Sequence, residues 1–172
     1  MPAKHGGVVW LAPIANITPK DRIRMRIVLQ RVTHASVTVD GLVTGRIGNG
    51  LLALIGVTNA DTPETAEKYA EKVYKMRIFA DSEGKTNLSA SDLNYGILII
   101  SQFTLYADTR KGNRPSFTKA GAPEHAEAVC KAFTDACKKR FSHTETGVFG
   151  AHMLVTLVND GPFTIILDSE QT

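Results

Sequence analysis

Two short stretches of this chain place polar groups where an apolar run ends. The first, Ser101-Gln102-Phe103-Thr104-Leu105, closes the aliphatic run that begins at Ile97. Strand alternation sends Ser101, Phe103 and Leu105 to one face and Gln102 and Thr104 to the other. Polar groups at the end of a buried strand need partners or a pocket. Two readings stand: hydroxyls satisfied by neighbouring backbone, or ligand contacts. The second stretch, Asn159-Asp160-Gly161-Pro162, separates Val155, Leu157 and Val158 from the run Phe163 to Leu167. Its residues favour turns, so the expectation from local chemistry is a hairpin connection between two strands. The alternative is a recognition corner. Gly161 has no Cβ, so its backbone can approach a ligand closely. A Gly-Pro bond adopts the cis form at a cost of only about 0.5–1 kcal/mol. A rigid corner of bare main chain suits a test of chirality.

A third candidate is the loop carrying Arg110, Lys111, Arg114 and Lys119, with Phe117 among them and Asp108 the one acid nearby. It reads either as a solvated loop or as a phosphate-contacting one. Other chemistry lacks its signature. No Gly-x-Ser-x-Gly elbow, P-loop or dinucleotide glycine fingerprint occurs. The five histidines, His5, His34, His125, His143 and His152, are scattered singly, and no His/Cys set has zinc spacing. No carboxylate pair is placed to suggest glycosidase or metal chemistry. An enzyme built on these residues has to use backbone donors and groups that its substrate brings.

The elements that would position these groups follow from periodicity. Met25 to Thr33 reads as a first strand, Val37 and Val39 as part of a second, and Leu42 to Ile47 as its return after an Asp40-Gly41 turn. Leu51 to Val57 is almost continuously apolar, which predicts a buried central strand. Thr62-Pro63-Glu64 starts a helix with a cap, a first-turn proline and an acid near the positive end. Its core stripe is Ala66, Tyr69, Ala70, Val73 and Met76. A second long helix is expected from Pro123 to Phe141, burying Ala126, Val129, Cys130, Phe133 and Cys137. The two cysteines lie two helical turns apart, roughly 10 Å, beyond disulfide reach. They read as structural thiols of a reducing compartment. The order ββββ-α-β-α-ββ defines a single α/β domain with mainly antiparallel or mixed sheets and two long helices.

The 172 residues carry a net charge of +3, all of it accounted for by Lys4, Lys20, Arg22 and Arg24 against Asp21. From Met25 onward the charges balance, so any nucleic-acid contact must come from a local patch. Residues 1–24 read as a poorly ordered extension ahead of a domain spanning 25–172. The apolar run Val8 to Ala12 is broken by Pro13 and is too short to span a membrane.

Taken together, Ser101-Gln102-Phe103-Thr104-Leu105 and Asn159-Asp160-Gly161-Pro162-Phe163-Thr164 resemble the two signature segments of the D-aminoacyl-tRNA deacylase family. The similarity extends from Met25 to about Leu167 through Gln30-Arg31-Val32, Ala35-Ser36-Val37, Arg77-Ile78-Phe79 and Arg114-Pro115-Ser116-Phe117. Only residues 1–24 depart from the pattern. The resemblance implies a barrel-like fold and a cytoplasmic homodimer. It implies hydrolysis of the ester joining a D-amino acid, or misplaced glycine, to the 3′-terminal adenosine of tRNA, with no cofactor and no membrane or DNA partner. Ser101, Gln102, Phe103 and Thr104 would form the catalytic pocket, with backbone N–H groups near Phe103 and Thr104 facing the ester carbonyl. Gly161 and Pro162, cis and lent by the partner subunit, would exclude L-amino acids. Arg31 would brace that motif, with Asn159 and Thr164 in support. Phe149 and Met153 would wall the adenosine. Arg110, Lys111, Arg114 and Lys119 are the tRNA-contact candidates. Two mechanisms remain open: assistance by the ribose hydroxyl, and Thr104 as a covalent nucleophile. The rival function is a non-catalytic module binding the tRNA end.

Overall fold

The computed structural model describes residues 25–168, and all structural statements below concern these residues. Three strands open the chain: β1 (Arg26–Val39), β2 (Leu42–Ile47) and β3 (Gly50–Gly56). Asp40 and Gly41 both take positive φ, 49° and 79°, as a tight two-residue hairpin requires. The two strands expected before Asp40 are one continuous strand. One edge of β1 is taken by β3 opposite Arg26–Val32 and then by β2 opposite Ala35–Val39. The other edge is taken by the last strand, β8 (Leu154–Leu167), from Ile27↔Leu167 to Thr38↔Leu154.

Helix α1 (Pro63–Lys75) begins as expected. The Thr62 hydroxyl accepts from the Thr65 N–H at 3.3 Å, and Ala66, Tyr69, Ala70 and Val73 are buried. A small antiparallel pair follows, β4 (Arg77–Ala80) and β5 (Thr86–Ser89), and then a single-turn helix α2 (Ala90–Leu93). Ser89 and Asp92 cap that helix reciprocally. Strand β6 (Gly96–Ser101) returns parallel to β3. Helix α3 (Pro123–Lys138) crosses back to β7 (Thr144–Thr146), which runs parallel to β6. Parallel neighbours require such crossovers. The main sheet has the order β2-β1-β3-β6-β7, with β8 on β1. It curls until β2 reaches β7: a Cβ on Gly45 would stand 2.9 Å from the Thr146 carbonyl. The result is a nearly closed, barrel-like mixed sheet with two long helices on its outside.

The apolar alternation serves two cores. Leu51, Ala53, Ile55, Ile97 and Ile99 face the helices, where Val129 and Phe133 of α3 meet them. Leu52, Leu98 and Ile100 point the other way, into the curl, with Val32, Ala35 and Val37. β3 and β6 are therefore apolar on both faces, which is why their sequences read as continuous runs.

Candidate active site

The parallel strands β3 and β6 end side by side, Ile55 opposite Ser101. Open α/β sheets place ligands beyond such carboxyl ends. The Gln102 N–H donates to the Ile55 carbonyl at 2.7 Å, and the chain then leaves the strand. It tightens into a 3-10 turn over Phe103–Tyr106, with Leu105 N–H bonded to Gln102 O at 3.2 Å. The alternation expected through Leu105 therefore stops at Ser101. The turn is locked by Tyr106, only 4% exposed, which packs over Gly56. A Cβ there would lie 2.9 Å from the tyrosine ring. Burial pushes the Tyr106 hydroxyl well above the usual tyrosine range.

A turn of this type leaves its first N–H groups without an intrahelical acceptor. Here these belong to Phe103 and Thr104. The Gln102 amide Nε2 donates to Thr104 Oγ1 at 2.5 Å, so this hydroxyl oxygen already accepts a hydrogen bond. Among the described residues, no histidine or carboxylate hydrogen-bonds to it to draw off its proton. Covalent catalysis by threonine needs such a base.

Beside the turn lies a cavity of about 550 Å³. Ser101, Gln102 and Phe103 form one wall, and Phe149 and Met153 form another. Phe117 closes over Phe103 edge to face, with ring centroids 5.0 Å apart. Thr104 stands outside the lining, tied to it through Gln102. Sequence reading placed Cys130 in the helix core, but it also walls the cavity. Its thiol is pushed up to about 12 by burial, so it is protonated at neutral pH. Gly147 carries a role that no motif signalled. A Cβ there would run into the Met153 sulfur and stand 3.1 Å from Ile100 Cδ1. Gly147→Ala is expected to drive Met153 into the cavity and raise KM about 10-fold or more, on the scale of one methyl group in a tight pocket. Steady-state kinetics read this directly.

The second motif sits elsewhere. Asn159 and Thr164 both face β1, pairing with Val32 and Gln30, and residues 160–163 bulge out opposite Arg31 alone. The local turn signal is real, but it makes a bulge within one strand; the hairpin expectation is overturned because both flanks pair with β1. The Asn159 side chain closes the bulge. Its Oδ1 accepts from the Phe163 N–H at 2.6 Å, and its Nδ2 donates to Phe163 O at 3.3 Å and Thr164 Oγ1 at 3.2 Å. Gly161-Pro162 is a cis peptide, exposed at the tip. Arg31 holds it from behind. Its Nε donates to Asp160 O at 2.9 Å and pairs with the Asp160 carboxylate at 3.1 Å, and its Nη1 donates to Ile78 O at 2.7 Å. The guanidinium also stacks 4.7 Å above the Phe163 ring.

These two clusters do not meet within one chain. Arg31 pairs with Leu51 at the start of β3, and Ser101 pairs with Ile55 near its end. That interval is about 13 Å along the strand. Arg31, Asn159, Gly161, Pro162 and Thr164 do not line the cavity.

Of the basic loop, Phe117 reaches the cavity. Asp108 pairs with Arg110 and lies 3.9 Å from Lys119, and the Arg110 guanidinium holds its carboxyl well below the usual range. Lys111 and Arg114 are exposed. His152 lines the cavity, while His125 and His143 bond to the Asp61 and Arg46 carbonyls. No group of three His, Cys, Asp or Glu among the described residues is placed to share a metal ion. No helix among them is long and apolar enough to cross a membrane.

The fold and cavity thus define a class: an α/β domain with a cavity at the carboxyl ends of a parallel pair, beside a turn whose first N–H groups have no acceptor within it. Comparison with known proteins makes the class specific. The family model of D-Tyr-tRNA(Tyr) deacylase matches residues 28–168, and the chain belongs to that family. D-aminoacyl-tRNA deacylase of Chloroflexus aurantiacus is 56% identical over 147 residues, 86% of this chain and 92% of its own. That of Deinococcus deserti is 55% identical over 144 residues, 84% and 99% of the two chains. Among solved structures, a c-Myc DNA unwinding element binding protein is 41% identical with a TM-score of 0.79, over 84% of this chain and 98% of its own. A probable eukaryotic D-amino acid tRNA deacylase shares the fold at 19% identity and a TM-score of 0.74, with the same coverage.

Proposed function

We propose that this chain hydrolyses the ester between a D-amino acid and the terminal ribose of tRNA, releasing free D-amino acid and tRNA. The observation that carries the reading is the turn at the end of β6. It leaves the Phe103 and Thr104 N–H groups unclaimed by the turn itself, and Phe103 lines an apolar-walled cavity. In the mechanism, water attacks the ester carbonyl, and the two N–H groups receive the negative charge that develops on its oxygen. One such donor is worth about 3–4 kcal/mol of barrier. The carbon–oxygen bond to the ribose then breaks, and the leaving oxygen takes a proton. The neighbouring ribose hydroxyl relays protons, which suits a site whose threonine is already hydrogen-bonded by Gln102. Phe149 and Met153 pack the adenosine.

Chirality is read by Gly161 and Pro162 of a second copy. The support is geometric: the corner is held rigid by Arg31 and Asn159, exposed, and away from the cavity of its own chain. Leu154, Val158 and Ile166, exposed on the same strand, offer apolar surface for that homodimer. Glycine has no side chain to collide with the corner, so glycyl-tRNA is also a substrate. The place of action is the cytoplasm, and Lys111 and Arg114 are free to meet tRNA phosphates.

The test is deacylation by purified protein at substoichiometric concentration. D-Tyr-tRNA and Gly-tRNA are expected to turn over repeatedly and L-Tyr-tRNA to stay intact. Thr104→Ala is expected to retain turnover. Binding of tRNA without turnover would instead support the non-catalytic module, and loss of all activity in Thr104→Ala would support the covalent route.

A further inference from the structure

Arg26 has no part in either motif, yet it reaches the back of the catalytic turn. Its Nη1 donates to the Leu105 carbonyl at 2.7 Å. Its Nε and Nη2 both reach Asp168 Oδ2, at 2.8 and 2.7 Å, where the chain leaves β8. Its guanidinium lies 5.1 Å from the centre of the Tyr106 ring. The side chain is only 36% exposed, and that of Asp168 13%. One cation therefore ties together the first strand, the last strand and the turn.

Besides the Tyr106 ring packed over Gly56, the turn has two hydrogen-bonded anchors. Gln102 N–H is fixed to Ile55 O, and Leu105 O is fixed by Arg26. The Phe103 and Thr104 N–H groups lie between them. Leu105 N–H returns to Gln102 O and Ala107 N–H to Thr104 O, so the orientation of the Leu105 carbonyl is linked to that of the peptides within the turn. The strand anchor holds one end of the turn only. A planar guanidinium gripped by Asp168 and stacked on Tyr106 fixes its direction, since its donors form a rigid fork.

We propose that Arg26, held by Asp168, is a positioning residue that aims the Phe103 and Thr104 N–H groups at the ester oxygen. The inference rests on the deacylase reading for its kinetic part alone. It gives the first and last strands a part in catalysis: a charge on the first residue of β1 and one just past β8 meet behind the site.

The experiment compares Arg26→Met, Arg26→Lys and Asp168→Asn with the unaltered protein, at temperatures where circular dichroism shows each fully folded. Arg26→Met keeps the apolar stem and removes the fork. It is expected to lower kcat about 10- to 100-fold, the scale of a small misplacement of catalytic groups. KM should change less than about threefold, because the contact acts on the transition state. Arg26→Lys, which reaches Leu105 O without the fork, should recover part of the loss, and Asp168→Asn should reproduce a smaller share. The independent readout is amide hydrogen exchange at Leu105 and Ala107, whose N–H groups close the turn on Gln102 O and Thr104 O; it should accelerate in Arg26→Met while amides of β3 keep their protection. Unchanged kcat, a loss carried by KM, or unchanged exchange at these two amides overturns the proposal. Absence of deacylation in the unaltered protein would sink the functional reading instead, and the exchange data would still decide the clamp.

Discussion

Phe103→Pro is expected to lower kcat about 10²–10³-fold, while Phe103→Ala keeps it within about 10-fold. Both variants lose the ring that packs on Phe117. Only proline also removes the N–H. Position 103 opens the 3-10 turn, where a missing N–H leaves the turn's own hydrogen bonds intact and the fixed φ of proline is suited to a helical start. The pair therefore separates main-chain electrostatics from side-chain packing at one residue. Single-turnover kinetics with saturating enzyme measure the chemical step without product release. Equal losses in the two variants would show that the ring, and not the backbone donor, carries catalysis.

Gly161→Ala is expected to lower the preference for D- over L-aminoacyl-tRNA on the order of 10²-fold, as displacing a positioning element by about 1 Å does. A Cβ at this position would lie 2.8 Å from the Phe163 nitrogen and 3.1 Å from its Cβ, and 3.3 Å from Arg31 Nη2. The φ of +143° is also one that L side chains rarely adopt. The bulge must shift, and the corner loses its aim. Co-expression with Phe103→Pro tells which cavity the corner guards. If it serves the partner, the mixed dimer holds one site with an intact turn and an intact corner, and selective activity returns. If it serves its own chain, no site has both, and the mixture remains either inactive or unselective.

The sequence was most readable where structure is local. Asp40-Gly41, Thr62-Pro63-Glu64 and the run Leu51 to Val57 each specify a turn, a helix start and a doubly buried strand by their own chemistry, and all three form where expected. The error at Asn159 to Pro162 came from the same source. Turn residues were present, but pairing with β1, some 130 positions away, decides that both flanks belong to one strand. β4, β5 and β7 have three or four residues each, too few to display a period. At the site, the end of β6 was marked by polar groups after an apolar run. The 3-10 turn was not, because it depends on Tyr106 finding room over Gly56. The grip of Arg26 spans 79 and 142 positions, and no spacing rule reaches so far.

The pairing of β1 with β8 also sets a timetable. Ribosomes add about 5–20 residues per second, so roughly 6–25 s separate the end of β1 from the end of β8. Throughout that interval the first strand can gain β2 and β3 on one side, while its opposite edge waits for β8. An open edge of this kind invites pairing with any extended chain nearby. Newborn copies are therefore most exposed to aggregation before β8 emerges, and truncation ahead of Leu154 would leave that edge bare for good.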